Sequence, residues 1–345
     1  LTGSTTPTPD GPARHRRRRR RRQLPRWPTV VGWVVTLALA LVALLRIVAW
    51  DDLEPFAVLN TVTFLLYLPA WVVAIVTLFG RRYLLAGVAA LVVLAQILFL
   101  VPELTAATAL PTWAATAPSI RILDANVYYV NPSMAGYAKE IRAFKPELVT
   151  MEEATVPHVR QLVKSGALDR LPYRFEVKRY DPRAFLIASR YRLSGSHVVS
   201  FEGLPLVVQT TIHLPSGPQT LWVIHTSAPV EDSFAGWKAS LAEIARLVRA
   251  RGPHRMLLIG DFNATWNNKG FHAILDAGLV DGAAARGHPF AMTWSQTKRP
   301  LPPLVRIDHI LTGPGVTVTR IATGDGPGSD HRDLLATVAV HASGH

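Results

Sequence analysis

Three apolar stretches, residues 30–50, 56–79 and 83–101, constrain this chain more than anything else in its sequence. Each is about as long as the ~20 residues a helix needs to cross a bilayer. Their interiors hold almost no charge, and Trp27, Trp50 and Tyr83 sit near their ends, where amphipathic rings favour the membrane interface. Helices buried in a globular core would show a polar face at helical period, and these stretches do not. Three in succession are also unlike a cleaved leader. Arg46, near the far end of the first stretch, is expected to reach the interface along its aliphatic stem.

The joints give an orientation. An Arg tract (Arg14, Arg16 to Arg22, Arg26) precedes the first stretch, Asp51-Asp52-Leu53-Glu54 separates the first two, and Arg81-Arg82 separates the last two. Positive flanks stay cytoplasmic. The expected arrangement is therefore a cytoplasmic N-terminus, a multi-pass anchor in the cell membrane, and everything after Glu103 extracytoplasmic. Four regions follow: a disordered polybasic tail (1–27), three transmembrane helices (28–103), a linker (104–118) and a catalytic domain (119–345). The tail either attracts anionic lipid or only sets topology.

The formal charge of +13 suggests nucleic acid, but its location does not. Of 37 Lys and Arg, 12 precede Pro118, as do 5 of 24 Asp and Glu, leaving 25 basic and 19 acidic residues in the remainder. That part is only mildly basic, which suits an enzyme meeting a phosphorylated substrate. With no cysteine, a disulfide framework, a thiolate nucleophile and Cys-ligated zinc are excluded.

From Ser119 the pattern changes to short β-rich runs, turns and a few helices, of which residues 234–250 form the longest amphipathic one. The order predicts an α+β domain of two packed sheets with helices outside, a four-layer α/β/β/α sandwich. Polar residues stand at apolar strand ends: Asn126 after Ile120-Arg121-Ile122-Leu123, Glu153 after Leu148-Val149-Thr150-Met151, and His225 after Trp222-Val223-Ile224. Later come Gly260-Asp261-Phe262-Asn263, Arg306-Ile307-Asp308-His309 and Ser329-Asp330-His331. Such a set suits phosphoester hydrolysis, which needs a divalent cation, a base for water and donors for the developing charge. Hard cations prefer carboxylate and amide oxygens. Asp261 and Asn263, two apart, can point to the same side of their loop. Asp308 can hold His331 protonated, and Asp330 is a further candidate ligand. One of Glu152 and Glu153 is expected to be merely solvated.

Taken in order, these motifs resemble the endonuclease/exonuclease/phosphatase superfamily over roughly residues 119–340. The resemblance implies Mg²⁺ or Mn²⁺ bound by Asn126 and Glu153, with Asp330 assisting. It implies that Asp261 orients or deprotonates water, that Asn263 holds the phosphate, and that His225 and His331 stabilise the pentavalent state with Asp308 orienting His331. One departure stands out: Arg183-Ala184 occupies a place where the family often has glycines, which bears on the shape of the substrate groove. The topology is similar to membrane-anchored actinobacterial members, and a short tether favours a lipid-linked phosphate or pyrophosphate. Trp266 and Trp294 are candidates to contact a lipid chain. The alternatives are a surface nuclease, with Arg179, Arg183, Lys298 and Arg299 lining a groove, and an inactive binding module. No protein partner is inferable from the sequence.

Overall fold

The computed structural model describes residues 26–230, 233–296 and 302–342. The Arg tract before Arg26 and the groove candidates Lys298 and Arg299 lie outside the described residues. The apolar third forms α1 (Arg26–Val48), α2 (Glu54–Thr61), α3 (Thr63–Leu66), α4 (Leu68–Phe79) and α5 (Tyr83–Leu104). By length and composition α1 and α5 can each cross a membrane. The expectation for residues 56–79 needs correction: they are not one helix. The chain bends by 82° between α2 and the helical run Thr63–Phe79, so the count is two spans, or three if the bent pair is one. The break has a local cause. Asn60 turns inward to donate to Asp51 Oδ1 (2.6 Å), and Thr63 Oγ1 donates to the Asn60 carbonyl (2.7 Å). Apolar side chains such as Val34, Leu37, Val72 and Leu91 stay exposed, as expected of surfaces that face lipid.

Arg46 does not reach outward. It is buried, donates to Thr63 Oγ1 and Asn267 Oδ1 (3.0 Å), and lies over the Phe99 ring at 4.4 Å. A buried guanidinium needs its donors met within the protein, and these side chains meet several of them.

Twelve strands follow: β1 (Ser119–Asn126), β2 (Leu148–Glu152), β3 (Tyr173–Val177), β4 (Phe185–Ser189), β5 (Leu193–Phe201), β6 (Leu204–Leu214), β7 (Gly217–His225), β8 (Met256–Asp261), β9 (Val280–Asp281), β10 (Asp308–Thr312), β11 (Val316–Thr323) and β12 (Leu334–Val340). They build two six-stranded sheets, ordered β11-β12-β1-β2-β4-β3 and β5-β6-β7-β8-β10-β9. Helices α6 (Ala135–Phe144), α7 (Val156–Lys164), α8 (Phe234–Arg251), α9 (Lys269–Leu275) and α10 (Gly282–Ala285) complete the domain.

Strand alternation sends Ile122, Leu148, Ile187, Val223 and Ile259 into a core shared by the two sheets. The opposite faces pack outward: Leu123, Val149 and Leu186 against α6 and α7, and Trp222, Ile224 and Leu258 against α8 and α9. The result is a mixed α/β fold of two sheets between helical layers. Helix α6 ends where Lys145 turns left-handed (φ 52°) ahead of Pro146. Helix α8 starts at Ser233, whose side chain accepts from the Gly236 N–H.

Residues 105–117, expected as a linker, run against the catalytic domain. The Thr108 N–H donates to the Ala285 carbonyl (3.1 Å), and the Trp113 ring packs edge-on to His341.

Candidate active site

Strand register brings the site together. In the second sheet, His225 pairs with Asp261 and Asp261 with Asp308, so three neighbouring strands end in three polar side chains side by side. In the first sheet Asn126 pairs with Glu152, and the next residue, Glu153, turns off the strand at φ 57°. That turn separates the two acidic neighbours. Glu153 swings over the strand ends, where its carboxylate accepts from Asn126 Nδ2 (3.1 Å) and the Tyr129 N–H (2.8 Å). Asn126 Nδ2 also donates to Asp261 Oδ2 (3.1 Å), so one amide bridges carboxylates from opposite sheets.

His225 Nε2 lies 3.7 Å from Glu153 Oε1 and 3.8 Å from Asp261 Oδ2. His331 Nε2 lies 3.8 Å from the same Asp261 oxygen, while its Nδ1 bonds Asp308 Oδ2 at 2.9 Å. Ser329 fixes the His331 loop: its hydroxyl donates to the Asn126 carbonyl (2.7 Å) and accepts from the His331 N–H (3.0 Å). Asp330 stands beside this group and accepts from the Trp294 indole (3.1 Å). Asn263, left-handed at φ 47°, donates from its side chain to the Thr226 carbonyl (3.2 Å), and its N–H donates to Asp261 Oδ1 (2.7 Å).

Charge and burial divide the roles. Burial, then the Asp308 charge, raises the Asp261 carboxyl to about 7. Burial alone would lower His331, but Asp308 outweighs it and lifts the imidazole to about 10. Burial, then Arg183 and His331, lowers His225 to about 3 and keeps it neutral. Burial also raises Glu153. The site thus holds a carboxyl poised near neutrality, a cationic donor and a neutral imidazole.

The donor set fits a hard divalent cation. Ligand atoms of Asp261, Asp308 and His331 lie within 4.8 Å of one another, and the Glu153 and Asn126 oxygens belong to the same group of strand ends. A protonated imidazole offers no lone pair. The acidic oxygens of Glu153 and Asp261 are therefore the better holders and His331 the better donor, while the Asn126 amide, with Nδ2 toward both carboxylates and Oδ1 accepting from the Tyr128 N–H, would have to turn over to offer its oxygen.

Three expectations change here. Neither Glu152 nor Glu153 is solvated: Glu152 is fully buried, both its carboxyl oxygens lack a hydrogen-bond partner among the described residues, and burial followed by Asp124 pushes it well above the usual range. Arg183 is also buried, donating to the Thr226 carbonyl (3.3 Å) and to Ser227 Oγ (3.3 Å), so it braces the end of β7 instead of lining a groove. Arg179 is exposed and shares its charge with Asp181. The sequence reading also passed over a buried group behind the site, Asp281, Arg306 and His309. Arg306 and His309 were visible in a motif. Asp281, in a two-residue strand, carried no signal.

The model of the Endonuclease/Exonuclease/phosphatase family matches residues 125–331, from the end of β1 to His331. The chain belongs to the Endonuclease/Exonuclease/phosphatase family. No curated protein matches it. Among solved structures, an endonuclease/exonuclease/phosphatase from Beutenbergia cavernae is similar at 18% identity and a TM-score of 0.50, covering 65% of this chain and 72% of that one. TDP2 from D. rerio complexed with single-strand DNA product is similar at 19% and 0.51, covering 64% and 99%. The 3′ phosphatase NExo from Neisseria bound to product DNA hairpin is similar at 17% and 0.51, covering 63% and 98%. At these identities the likeness is one of fold.

Proposed function

We propose that the chain is a metal-dependent phosphoester hydrolase whose catalytic domain is held at a membrane by α1 to α5. The observation that carries this reading is the convergence of Asn126, Glu153, His225, Asp261, Asp308 and His331, from strand ends of two sheets and one loop, on one group of facing polar atoms. Glu153 and Asn126, with Asp261 facing them, would hold Mg²⁺ or Mn²⁺. The cation would offset phosphate charge and make bound water more acidic. Asp261, raised to about 7, takes a proton from the attacking water. His331, fixed by Asp308 and protonated to about 10, donates to the oxygen that gains charge. Neutral His225 donates beside it, and Asn263 orients the phosphate.

For the substrate, the comparisons support a nucleic-acid phosphoester over the lipid-linked one expected from the tether. Two of the similar structures hold DNA products. A lipid-linked phosphate stays as the second reading on one observation. A shallow open groove lies between the apolar helices and the catalytic domain, lined by Phe64, Leu100, Leu104, Trp266, Phe290 and Leu304. It adjoins the site through Val305, which pairs with Trp294, the partner of Asp330. With Arg26 and Arg81-Arg82 inside, the domain faces the extracytoplasmic side, the arrangement of the membrane-anchored actinobacterial type.

Full-length protein in liposomes, given a 3′-phosphorylated oligonucleotide or an embedded polyprenyl pyrophosphate, tests this. We expect Mg²⁺-dependent phosphate release that Glu153→Gln lowers more than about 100-fold. Rates on the oligonucleotide should fall steeply with salt because phosphate contacts release counterions. Turnover equal in wild type and variant would remove Glu153 from the site, and no turnover by the wild type would remove the hydrolase reading. Activity on the lipid alone would replace the nucleic-acid substrate with the second reading.

A further inference from the structure

The catalytic loop is bonded from behind to the membrane helices. Arg306, at 3% side-chain exposure, donates through Nη2 to Glu103 Oε1 at 2.5 Å and through Nη1 to Asp281 Oδ2 at 2.6 Å. Glu103 belongs to α5, the last apolar helix. Arg306 Nη1 also lies 2.9 Å from His309 Nδ1. The other nitrogen of His309, Nε2, meets the Ala264 carbonyl at 2.9 Å. A carbonyl only accepts, so Nε2 carries the proton and pins Ala264. The Phe262 N–H donates to the carbonyl of Ile307, the residue after Arg306. Asp261 and Asn263 are thus carried on a loop whose Phe262 and Ala264 hang from the segment Arg306 to His309.

The next residues are held by α1 and the turn that follows it. Asn267 accepts from Arg46 and its carbonyl from the Trp50 indole (2.8 Å), while Asp51 accepts from the Lys269 N–H (2.6 Å) and Asn268 Nδ2 (3.3 Å). Asn268 Oδ1 in turn accepts from the Thr265 N–H (2.9 Å), one residue beyond Ala264. Two separate polar groups therefore tie residues 261–269 to α1, α2 and α5.

We propose that Glu103 is a positioning residue for the active site: paired with Arg306, it holds the Asp261–Ala264 loop and Asp308 in register, so the catalytic centre is complete only with α5 docked. This rests on the hydrolase reading above. Without the Glu103 carboxylate, Arg306 Nη2 is a buried cationic donor that has lost its one partner among the described residues, and such a group moves to find another. Any shift of Arg306 passes to Ile307 and Asp308, and so to Phe262 and His331.

The test uses full-length protein in detergent micelles, with Glu103→Ala and Glu103→Gln. Turnover of bis(4-nitrophenyl) phosphate with Mn²⁺ is measured alongside amide hydrogen exchange. Glu103→Ala should lower kcat about tenfold or more with KM within about twofold, since misplaced groups slow the reaction more than they weaken binding. Glu103→Gln keeps an acceptor and should retain more. Exchange should rise in a peptide covering residues 260–269 and stay unchanged in α6 and α7. Unchanged exchange at 260–269, or an equal rise across the domain, would overturn the proposal. A wild type that turns over no phosphoester would sink the hydrolase reading, and the exchange comparison would still decide the role of Glu103.

Discussion

His331 shows how one residue's surroundings set its chemistry. Buried imidazoles lose their charge, as His225 does, yet His331 keeps it because Asp308 contacts Nδ1 at 2.9 Å. The folded imidazole titrates near 10 against an ordinary value of 6.5. A raised folded pKa means that the pair's stabilisation is complete below about 6.5, declines as pH rises, and is gone above about 10. We therefore expect the wild-type Tm to fall between pH 6.5 and 10 by more than that of Asp308→Asn, which thermal scans across that range would read. The same substitution should lower kcat by about 100-fold or more by misorienting the ring and removing its counter-charge. A variant with wild-type kcat would show that Asp308 does not orient His331.

At the level of elements, the close approach of β7 and β8 decides whether the sheet ends meet. Gly260 sits at φ 128°, and a Cβ there would lie 2.2 Å from the Ile224 carbonyl oxygen and 2.8 Å from Glu152 Oε1. No side chain fits without separating the strands that align His225 with Asp261. Gly260→Ala should cost about 3 kcal/mol or more through combined strain and overpacking. Gly195→Ala, at φ 63° but with open space around it, should cost about 1 kcal/mol. Chemical denaturation of the two variants measures the difference, and equal losses would refute the steric account. The legible elements were those with strong local signals. α7 opens at Thr155 with Pro157 inside its first turn, and β12 is apolar except for Thr337. Strand β3, whose alternation includes the charged Arg174 and Glu176, and β5, which opens with Leu193-Ser194-Gly195-Ser196-His197, carry weaker signals. Both form on the edges of their sheets, where partners supply the ladder.

For the whole molecule, the apolar helices and the catalytic domain are joined by polar and aromatic contacts as well as by chain. The buried Arg46 meets Asn267, Lys238 and Lys269 each reach the exposed Asp52 at 3.6 Å, and Phe64 packs on Phe290 with ring centroids 5.0 Å apart. A domain docked this way has little freedom to swing on its tether, so topology decides which substrates it meets. Alkaline phosphatase fused after residue 345 should be active in a bacterial host, because that reporter works only outside the cytoplasm. A silent fusion beside an active cytoplasmic reporter would reverse the orientation or change the span count.

The sequence alone carried the family's motifs and the long apolar stretches, because strand-end polar residues and apolar runs are local patterns set by side-chain type and period. It also carried the order of the site residues, since each motif ends its own strand. The resemblance pointed to Glu153, but neither the left-handed backbone step that swings it over the strand ends nor the burial of Glu152 was carried by the sequence. Nor did it show the break in the second apolar run or the inward turn of Arg46, whose partners Thr63 and Asn267 come from other elements. The link from Glu103 through Arg306 and His309 to Ala264 joins residues up to 203 positions apart. Contacts of that range leave no period in a sequence, and only the packed molecule decides them.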